Sequence, residues 1–302
     1  MNNSIKNFTS LMDLPKQDLH FLIKRAKELK DMYKKGIPYT PLENKNLALI
    51  FDKSSTRTRV SFEAGMAHFG GNTLFLSPRD TQLGRGEPIE DAARVISSMV
   101  DIIVIRTHEH NDLVKFCEYS SVPVINGLTN HLHPCQLLAD MLTFYELKGD
   151  IKGKKVTWIG DTNNMCNSYI NASKQFDFEL SIACPKNLEP SLYNNEKNIY
   201  ITDNPIDAAK DSDLVVTDVW VSMGQENEKE NQIKVFKELQ VNDEVMKSAN
   251  SDAIFMHCMP AHREEEVTTE VLEGPQSVIW EEAENRLHAQ KALIEYLIVK
   301  DK

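Results

Sequence analysis

Several common signals are missing from this 302-residue sequence, and each absence narrows the class of protein. No window reaches the roughly 18 consecutive apolar residues that a membrane span needs, and the first ten residues, "MNNSIKNFTS", contain no apolar signal core. The cysteines number five, an odd count without CxxC spacing, which argues against a disulfide framework or a zinc site. We therefore expect a cytoplasmic protein with reduced thiols and no membrane partner.

An excess of positive charge is also missing, since 34 Lys and Arg face 45 Asp and Glu and the formal net charge is −11. A globally acidic chain is repelled by nucleic acid and by anionic membranes, so neither is an expected partner. Against this background, a local cluster of arginines indicates a local anionic ligand. The GxxxxGK[ST] phosphate loop is missing, and "GDTNNM" (160–165) lacks the GxGxxG spacing, so we expect no nucleoside triphosphate and no nicotinamide cofactor.

Short β-rich apolar runs alternate with helix-like stretches along the whole chain, a pattern typical of βαβ units with parallel sheets. The predicted strands are 46–52, 72–77, 101–107, 121–126, 155–161, 179–185, 213–220, 253–260 and 277–282. A Gly/Lys-rich break, "KGDIKGKK" (148–155), separates two such series. The prediction is an α/β protein with two doubly wound parallel-sheet domains, 1–148 and 149–285, and a C-terminal helix (286–302) that packs back on the first domain.

Ligands of open parallel sheets bind outside the carboxyl ends of the strands. In this sequence, polar clusters that contain Arg and His recur at the predicted strand ends of both halves. We therefore expect one active site in the cleft between the two domains, lined by residues of both.

The stretch "DKSSTRTRVSFE" (52–63) leads from a predicted strand into a predicted helix. A helix N-terminus offers unpaired N–H groups and a partial positive charge, and Ser, Thr and Arg add further donors that suit phosphate oxygens. The stretch therefore predicts an oxyanion site. An ordinary N-cap with solvated arginines remains the alternative, since Ser and Thr are common caps. Arg59, one position further into the helix, is expected to pair with an acidic neighbour.

Two more clusters carry histidine and cysteine. In "HLHPCQLLAD" (131–140), Pro134 suits a first helical turn, and His133 and Gln136 fall on one helix face. No carboxylate or thiol is spaced to complete a metal site with His131 and His133, so no metal is expected. Arg106, at the end of an apolar strand, would be costly to bury without an anionic partner.

The stretches "DVWVSMG" (218–224) and "HCMP" (257–260) follow two strands of the second half. Asp218 with Ser222 suits an ammonium group, and a capped turn is the equally open alternative. Cys258 would need an adjacent base to act as a nucleophile. The adjacent His257 is expected to point to the opposite face of the strand. A packing role for Cys258 is therefore favoured over a role as nucleophile.

Taken together, "SSTRTRVSFE", "HPCQLLAD", "DVWVSMG", "HCMP" and "ENRLHAQK" closely resemble the ornithine carbamoyltransferases, in the expected order along nearly the whole chain. The first two motifs are shared with aspartate carbamoyltransferases, and the third and fourth narrow the resemblance to the ornithine enzymes. Met259 stands where the family usually has Leu, a swap that conserves volume and polarity. The resemblance implies transfer of a carbamoyl group from carbamoyl phosphate to the δ-amine of ornithine, without cofactor or metal, in arginine biosynthesis.

The resemblance also implies roles for particular residues. Phosphate binding falls to Ser55, Thr56, Arg57 and Thr58, with Gln82 supplied by a neighbouring subunit of a homotrimer. Arg106, His133 and Gln136 are expected to bind the carbamoyl group. Ornithine is expected to bind to Asn164, Asp218, Ser222 and the backbone of Met223. Cys258, the backbone of Met259 and Arg286 close around carbamoyl phosphate, and the expected catalytic residues are Arg106, His133 and Cys258.

Two competing hypotheses stay open at this point. A sister carbamoyltransferase acting on putrescine or another amine would share most motifs, although Asp218 and Ser222 favour a free α-amino group. A non-catalytic phosphate- or amino-acid-binding protein on the same scaffold would also fit, although the motif residues needed for chemistry are all present.

Overall fold

The computed structural model of the protein describes residues 7–77, 86–220 and 229–299. The chain divides into two compact units, Met1–Leu142 together with Glu284–Lys302, and Thr143–Ala283. Each unit contains one parallel sheet, of four strands in the first and five in the second. The predicted α/β class with two doubly wound sheets is confirmed, and the domain bounds given above stay a prediction.

The sheet of the first unit has the strand order β2-β1-β3-β4, with all pairs parallel. Its strands are β1 (Asn46–Phe51), β2 (Asn72–Leu76), β3 (Ile102–Arg106) and β4 (Val124–Leu128). β3 is buried along its whole length because β1 and β4 flank it and helices cover the sheet, whereas β2, at the edge, is half-exposed. The order reverses between β1 and β3, which is where a doubly wound sheet opens a binding site at its carboxyl edge.

Six α-helices of the described residues accompany this sheet. They are α1 (Lys16–Lys34), α2 (Thr56–His68), α3 (Ile89–Ser97), α4 (His110–Tyr119), α5 (Pro134–Lys148) and the C-terminal α11 (Ile279–Ile298). The apolar positions that predict α1, from Leu19 to Leu29 at helical spacing, are buried as expected. α5 begins at Pro134, as the missing N–H and fixed φ of proline favour.

The sheet of the second unit has the strand order β7-β6-β5-β8-β9, again all parallel. Its strands are β5 (Lys155–Ile159), β6 (Glu179–Ala183), β7 (Ile199–Thr202), β8 (Leu214–Thr217) and β9 (Ile254–His257). Its helices are α6 (Asn164–Phe176), α7 (Pro205–Ala209), α8 (Lys229–Phe236), α9 (Asp243–Ser248) and α10 (Thr269–Leu272). The reversal of strand order lies between β5 and β8.

Two sequence predictions of strands differ from the structure. The strand predicted at 277–282 is wrong, because only Ser277 makes an isolated bridge, to Phe255, and α11 begins at Ile279. β7 was missed because its four residues, "IYIT", form a short edge strand that is only partly buried. The other eight predicted strands each overlap an observed one.

Candidate active site

In the first unit, the N-terminus of α2 follows the carboxyl end of β1 at the reversal of strand order. Ser55 is the N-cap, and its Oγ accepts a hydrogen bond from the backbone N–H of Thr58 at 3.2 Å. Because the hydroxyl acts as acceptor in this bond, its own proton remains available for an anion. The first turn that follows carries Thr56, Arg57 and Thr58. Ser55 can therefore cap the helix and still belong to an oxyanion site, so the two interpretations of this stretch are compatible.

Arg59 plays a different part from Arg57. Its Nε donates to Oε1 of Glu63 at 2.9 Å, and its guanidinium lies 3.8 Å from the centroid of the Phe75 ring. The prediction that Arg59 pairs with an acidic neighbour is therefore confirmed, and Arg57 is the arginine of this stretch that remains for the candidate site.

Arg106 ends the buried strand β3, and its carbonyl accepts from the backbone N–H of Asp52 at 2.8 Å. This bond ties the carboxyl ends of β1 and β3 together beside the loop that leads into α2. Arg106 is buried, so a guanidinium charge lies at the reversal of strand order next to the helix N-terminus. The fold thereby supplies positive charge and donors at one edge of the sheet.

His133 directly precedes α5, and its carbonyl accepts from the backbone N–H of Gln136 in the first turn. The imidazole is buried, and burial holds the pKa of His133 well below its ordinary value. The nearby charges of Arg286, Arg106 and Arg57 lower that pKa further. The ring is therefore neutral at physiological pH and acts as a hydrogen-bonding group rather than as another cation.

Arg286 lies on the C-terminal helix α11. Its Nη1 donates to Oε1 of Gln136 at 2.5 Å, and its Nη2 donates to Oγ1 of Thr58 at 3.1 Å. Gln136 in turn donates from Nε2 to Oδ1 of Asp140 at 2.9 Å. The helix therefore brings Arg286 to two of the predicted ligands, Thr58 and Gln136.

In the second unit, the reversal of strand order between β5 and β8 holds Asp218 and Asn163. Nδ2 of Asn163 donates to Oδ2 of Asp218 at 3.0 Å, while Oδ1 of Asn163 caps α6 by accepting from the N–H groups of Met165 and Cys166. Asn164, the predicted ligand, is the first residue of α6. Sequence reasoning missed Asn163, although an Asn before an apolar helix is a typical N-cap signal.

Cys258 lies beside Asp218, and its Sγ donates to Oδ1 of Asp218 at 3.2 Å. The neighbouring His257 has separate partners, since its Nε2 lies 3.1 Å from Oε1 of Glu266 and its Nδ1 accepts from the backbone N–H of Met259 at 3.0 Å. The thiol therefore has a carboxylate rather than an imidazole as its hydrogen-bond partner. This geometry favours a binding role over a nucleophilic one.

Asp161 follows β5, and burial raises its pKa to about 6, with a further contribution from the charge of Asp218. Two carboxyl groups thus lie close together at this edge of the second sheet, which favours a cation between or beside them. Gln82, Ser222 and Met223 lie outside the described residues, so their predicted roles stay predictions.

Within the described residues, two groups bring metal-ligand atoms within 4.8 Å of one another. They are Asp218 with His257 and Cys258, and His262 with Glu265 and Glu266. In the first group, the hydrogen bonds described above already engage the thiol, the carboxylate and both imidazole nitrogens. The expectation of a site without metal stays a prediction.

Comparison with known proteins gives matches along nearly the whole chain. Residues 6–146 match the carbamoyl-P binding domain of aspartate/ornithine carbamoyltransferase, and residues 152–297 match the Asp/Orn binding domain of the same family. Ornithine carbamoyltransferase of Hydrogenovibrio crunogenus is 58% identical over 300 residues, which are 98% of this chain and 99% of the relative. The anabolic ornithine carbamoyltransferase of Pseudomonas aeruginosa is 54% identical over 298 residues, 98% of each chain.

A solved structure of ornithine carbamoyltransferase from Burkholderia thailandensis superposes on this chain with a TM-score of 0.91. The two are 49% identical, and the match covers 98% of this chain and 99% of the other. Sequence and fold therefore lead to the same family.

Proposed function

The chain belongs to the aspartate/ornithine carbamoyltransferase family, and we propose that it transfers the carbamoyl group of carbamoyl phosphate to the δ-amine of L-ornithine. The products are L-citrulline and phosphate. The observation that carries the proposal is the buried group of Arg106, His133 and Arg286 in the unit that also holds the N-terminus of α2. A further clue to the biosynthetic direction is that one of the relatives is described as anabolic.

Carbamoyl phosphate is the substrate of the first unit. Its phosphate takes the side chains and first-turn N–H groups from Ser55 to Thr58, where the helix N-terminus and Arg57 favour an anion. The carbamoyl oxygen takes donors from Arg106 and His133, and Gln136 fixes the amide end. Gln82, from another subunit, completes the phosphate site.

Ornithine is the substrate of the second unit. The carboxylate of Asp218 pairs with its α-ammonium group, and Asn164 and Ser222 add hydrogen bonds, with the backbone of Met223. The three donors to Asp218, from Asn163, Cys258 and the N–H of Val219, support this role because they hold the carboxylate in one orientation. Aspartate is a less favoured acceptor than ornithine, because its second carboxylate would need more cationic residues than "DVWVSMG" supplies.

The chemistry requires no covalent enzyme intermediate. The neutral δ-amine attacks the carbonyl carbon, the new C–N bond forms, and the C–O bond to phosphate breaks. Negative charge develops on the carbonyl oxygen, where Arg106 and the neutral imidazole of His133 stabilise it. The proton that the amine loses passes to the departing phosphate, and Cys258 and Met259 help to position the reacting centre. Most of the rate gain comes from positioning and charge stabilisation.

Assembly and location complete the proposal. A homotrimer with shared active sites follows from the family resemblance and from the role given to Gln82. A cytoplasmic location is supported by the five free cysteines, all of which lie in described residues, since thiols stay reduced in that compartment. No helix among the described residues is long and apolar enough to span a membrane.

A substrate panel with the purified protein tests the activity. Carbamoyl phosphate is held constant and ornithine, putrescine, N-acetylornithine and aspartate are compared by the carbamoylated product formed. We expect ornithine to give the highest kcat/KM. A higher kcat/KM with putrescine than with ornithine would identify putrescine as the substrate. Binding of carbamoyl phosphate without product from any amine would indicate a non-catalytic protein.

A further inference from the structure

Gln290 is a fully buried amide on α11, four residues beyond Arg286, so the two side chains share one face of the helix. With its oxygen turned toward Arg286, the amide accepts from both Nε and Nη2 of the guanidinium, each at 3.0 Å. Its nitrogen then donates to Oγ of Ser61. The opposite orientation would direct amide N–H groups at guanidinium N–H groups, which cannot accept a hydrogen bond.

Proton accounting at Ser61 supports the same orientation. Oγ of Ser61 lies 2.7 Å from the carbonyl oxygen of Arg57 and 3.1 Å from that of Thr58. A hydroxyl has one proton, and a backbone carbonyl can only accept, so the proton of Ser61 points to the backbone of α2. The amide nitrogen of Gln290 must then be the donor to Ser61.

One amide thereby connects two parts of the predicted carbamoyl-phosphate site. On one side it fixes the plane of the Arg286 guanidinium, which also donates hydrogen bonds to Gln136 and Thr58. On the other side it reaches, through Ser61, the carbonyl of Arg57 in the first turn of α2. Gln290 itself has no exposed surface, so it lies behind the site rather than in it.

We propose that Gln290 is a positioning residue for carbamoyl phosphate, which sets the orientation of Arg286 and of the first turn of α2 without touching the substrate. This inference rests on the proposed function. Its physical basis is that hydrogen bonds to a charged group are strong in a buried setting, and that small displacements of a group that binds a transition state are costly. The competing explanation is that Gln290 only stabilises the packing of α11.

The test compares Gln290→Met, which keeps the side-chain volume and removes both kinds of amide bond, with Asn285→Leu. Asn285 is a matched control because it is buried on the same helix and accepts from Nζ of Lys30 at 2.7 Å, outside the group just described. For each variant, the melting temperature, the KM values of both substrates and the Kd of inorganic phosphate by calorimetry are measured.

We expect Gln290→Met to raise the KM of carbamoyl phosphate and the Kd of phosphate roughly tenfold or more, because a displaced guanidinium no longer meets the anion in the productive geometry. The KM of ornithine, at saturating carbamoyl phosphate, should change by less than about twofold, because the partners of Gln290, Arg286 and Ser61, are not among the proposed ornithine ligands. Asn285→Leu should lower the melting temperature without changing phosphate affinity. Unchanged phosphate affinity in folded Gln290→Met, or an equal rise in the control, would overturn the inference.

Ser61→Ala keeps the inference testable if Gln290→Met does not fold. It removes the hydroxyl link and little volume, and it should raise the Kd of phosphate by itself. The double variant should add little to the larger single effect, because both changes break the same connection. Fully additive effects, or no effect of Ser61→Ala, would count against the link through Ser61. Phosphate affinity can be measured without turnover. An inactive wild-type protein would therefore refute the proposed function, while the effect of Gln290 on phosphate binding would still be tested by calorimetry.

Discussion

The thiol of Cys258 donates a hydrogen bond to Oδ1 of Asp218, with 3.2 Å between sulfur and oxygen. The same carboxylate accepts from Nδ2 of Asn163 at 3.0 Å and from the backbone N–H of Val219 at 2.8 Å. These donors come from three loops that follow β5, β8 and β9. They fix the direction in which Asp218 presents its charge, which is what recognition of an ammonium group requires.

Removing that charge gives the first prediction. Asp218→Asn should raise the KM of ornithine roughly hundredfold, because the charge pair proposed between Asp218 and the α-ammonium group loses one partner, while phosphate affinity stays unchanged. Steady-state kinetics and phosphate calorimetry measure the two effects. Asp213→Asn is the matched control, since Asp213 lies just before β8 at its other end and accepts from the backbone N–H of Lys155 at 3.0 Å. Equal KM values for ornithine in both variants would rule out Asp218 as its partner.

Two arginines of α2 provide the second prediction. Arg57→Gln should lower kcat/KM for carbamoyl phosphate by roughly two or more orders of magnitude, because in the proposed function Arg57 donates to the phosphate and its charge acts in the transition state. Arg59→Gln should lower the melting temperature, since Arg59 pairs with Glu63 and stacks on Phe75. Its kcat/KM per folded molecule should stay within about threefold, because the side chain is 46% exposed and its pairing is a surface interaction. A similar loss of kcat/KM in the two variants would contradict this division of roles.

Local signals predicted most of the architecture because they act over short stretches of sequence. The polar turn from 52 to 58 lies between an apolar run and a helix N-terminus, and the structure places Ser55 there as the N-cap. The strand predicted at 277–282 was wrong because three apolar residues, "VIW", suit a strand or the start of a helix equally. The acidic residues that follow, Glu281 and Glu282, favour the first turn of α11, which the structure shows.

The contacts that orient the candidate site could not be predicted in the same way. Asn163 and Asp218 are 55 residues apart in sequence, and Ser61 and Gln290 are 229 apart. No local pattern states which distant polar side chain completes a buried hydrogen bond. Such pairing follows from strand order and helix packing, which only the folded chain defines.

Asp161 gives a prediction about stability and pH. Its folded-state pKa of about 6 lies above the ordinary value of 3.8, because burial disfavours the charged form. Between pH 3.8 and about 6, the folded protein holds a proton on Asp161 that the unfolded chain has lost. The folded protein therefore loses stability as the pH rises from 3.8 to about 6. Asp161→Asn should raise the free energy of unfolding at pH 8 by up to about 3 kcal/mol, and by about half as much at pH 5. Denaturant titration at the two values measures this, and an equal gain at both would refute the assignment.

His288 provides the last prediction, with the opposite dependence on pH. Its ring is fully buried on α11, and neither nitrogen has a hydrogen-bond partner among the described residues. Burial, together with nearby positive groups, lowers the pKa of His288 to about 3. These groups are Lys291, Lys30, Lys34 and His68, and the carboxylate of Glu284 lies 3.9 Å from Nε2.

The unfolded chain binds a proton at His288 below its ordinary pKa of 6.5, whereas the folded chain does not until about 3. Stability should therefore fall as pH drops below 6.5, by about 2 kcal/mol between pH 7 and pH 5 from this group. Denaturant titrations at pH 7 and pH 5 measure this loss in the free energy of unfolding. In His288→Gln the loss should be smaller than in the wild-type protein by about 2 kcal/mol. His108→Gln, at an exposed histidine, controls for the loss of one imidazole. An unchanged difference between pH 7 and pH 5 in His288→Gln would show that the acid sensitivity of the fold has another source.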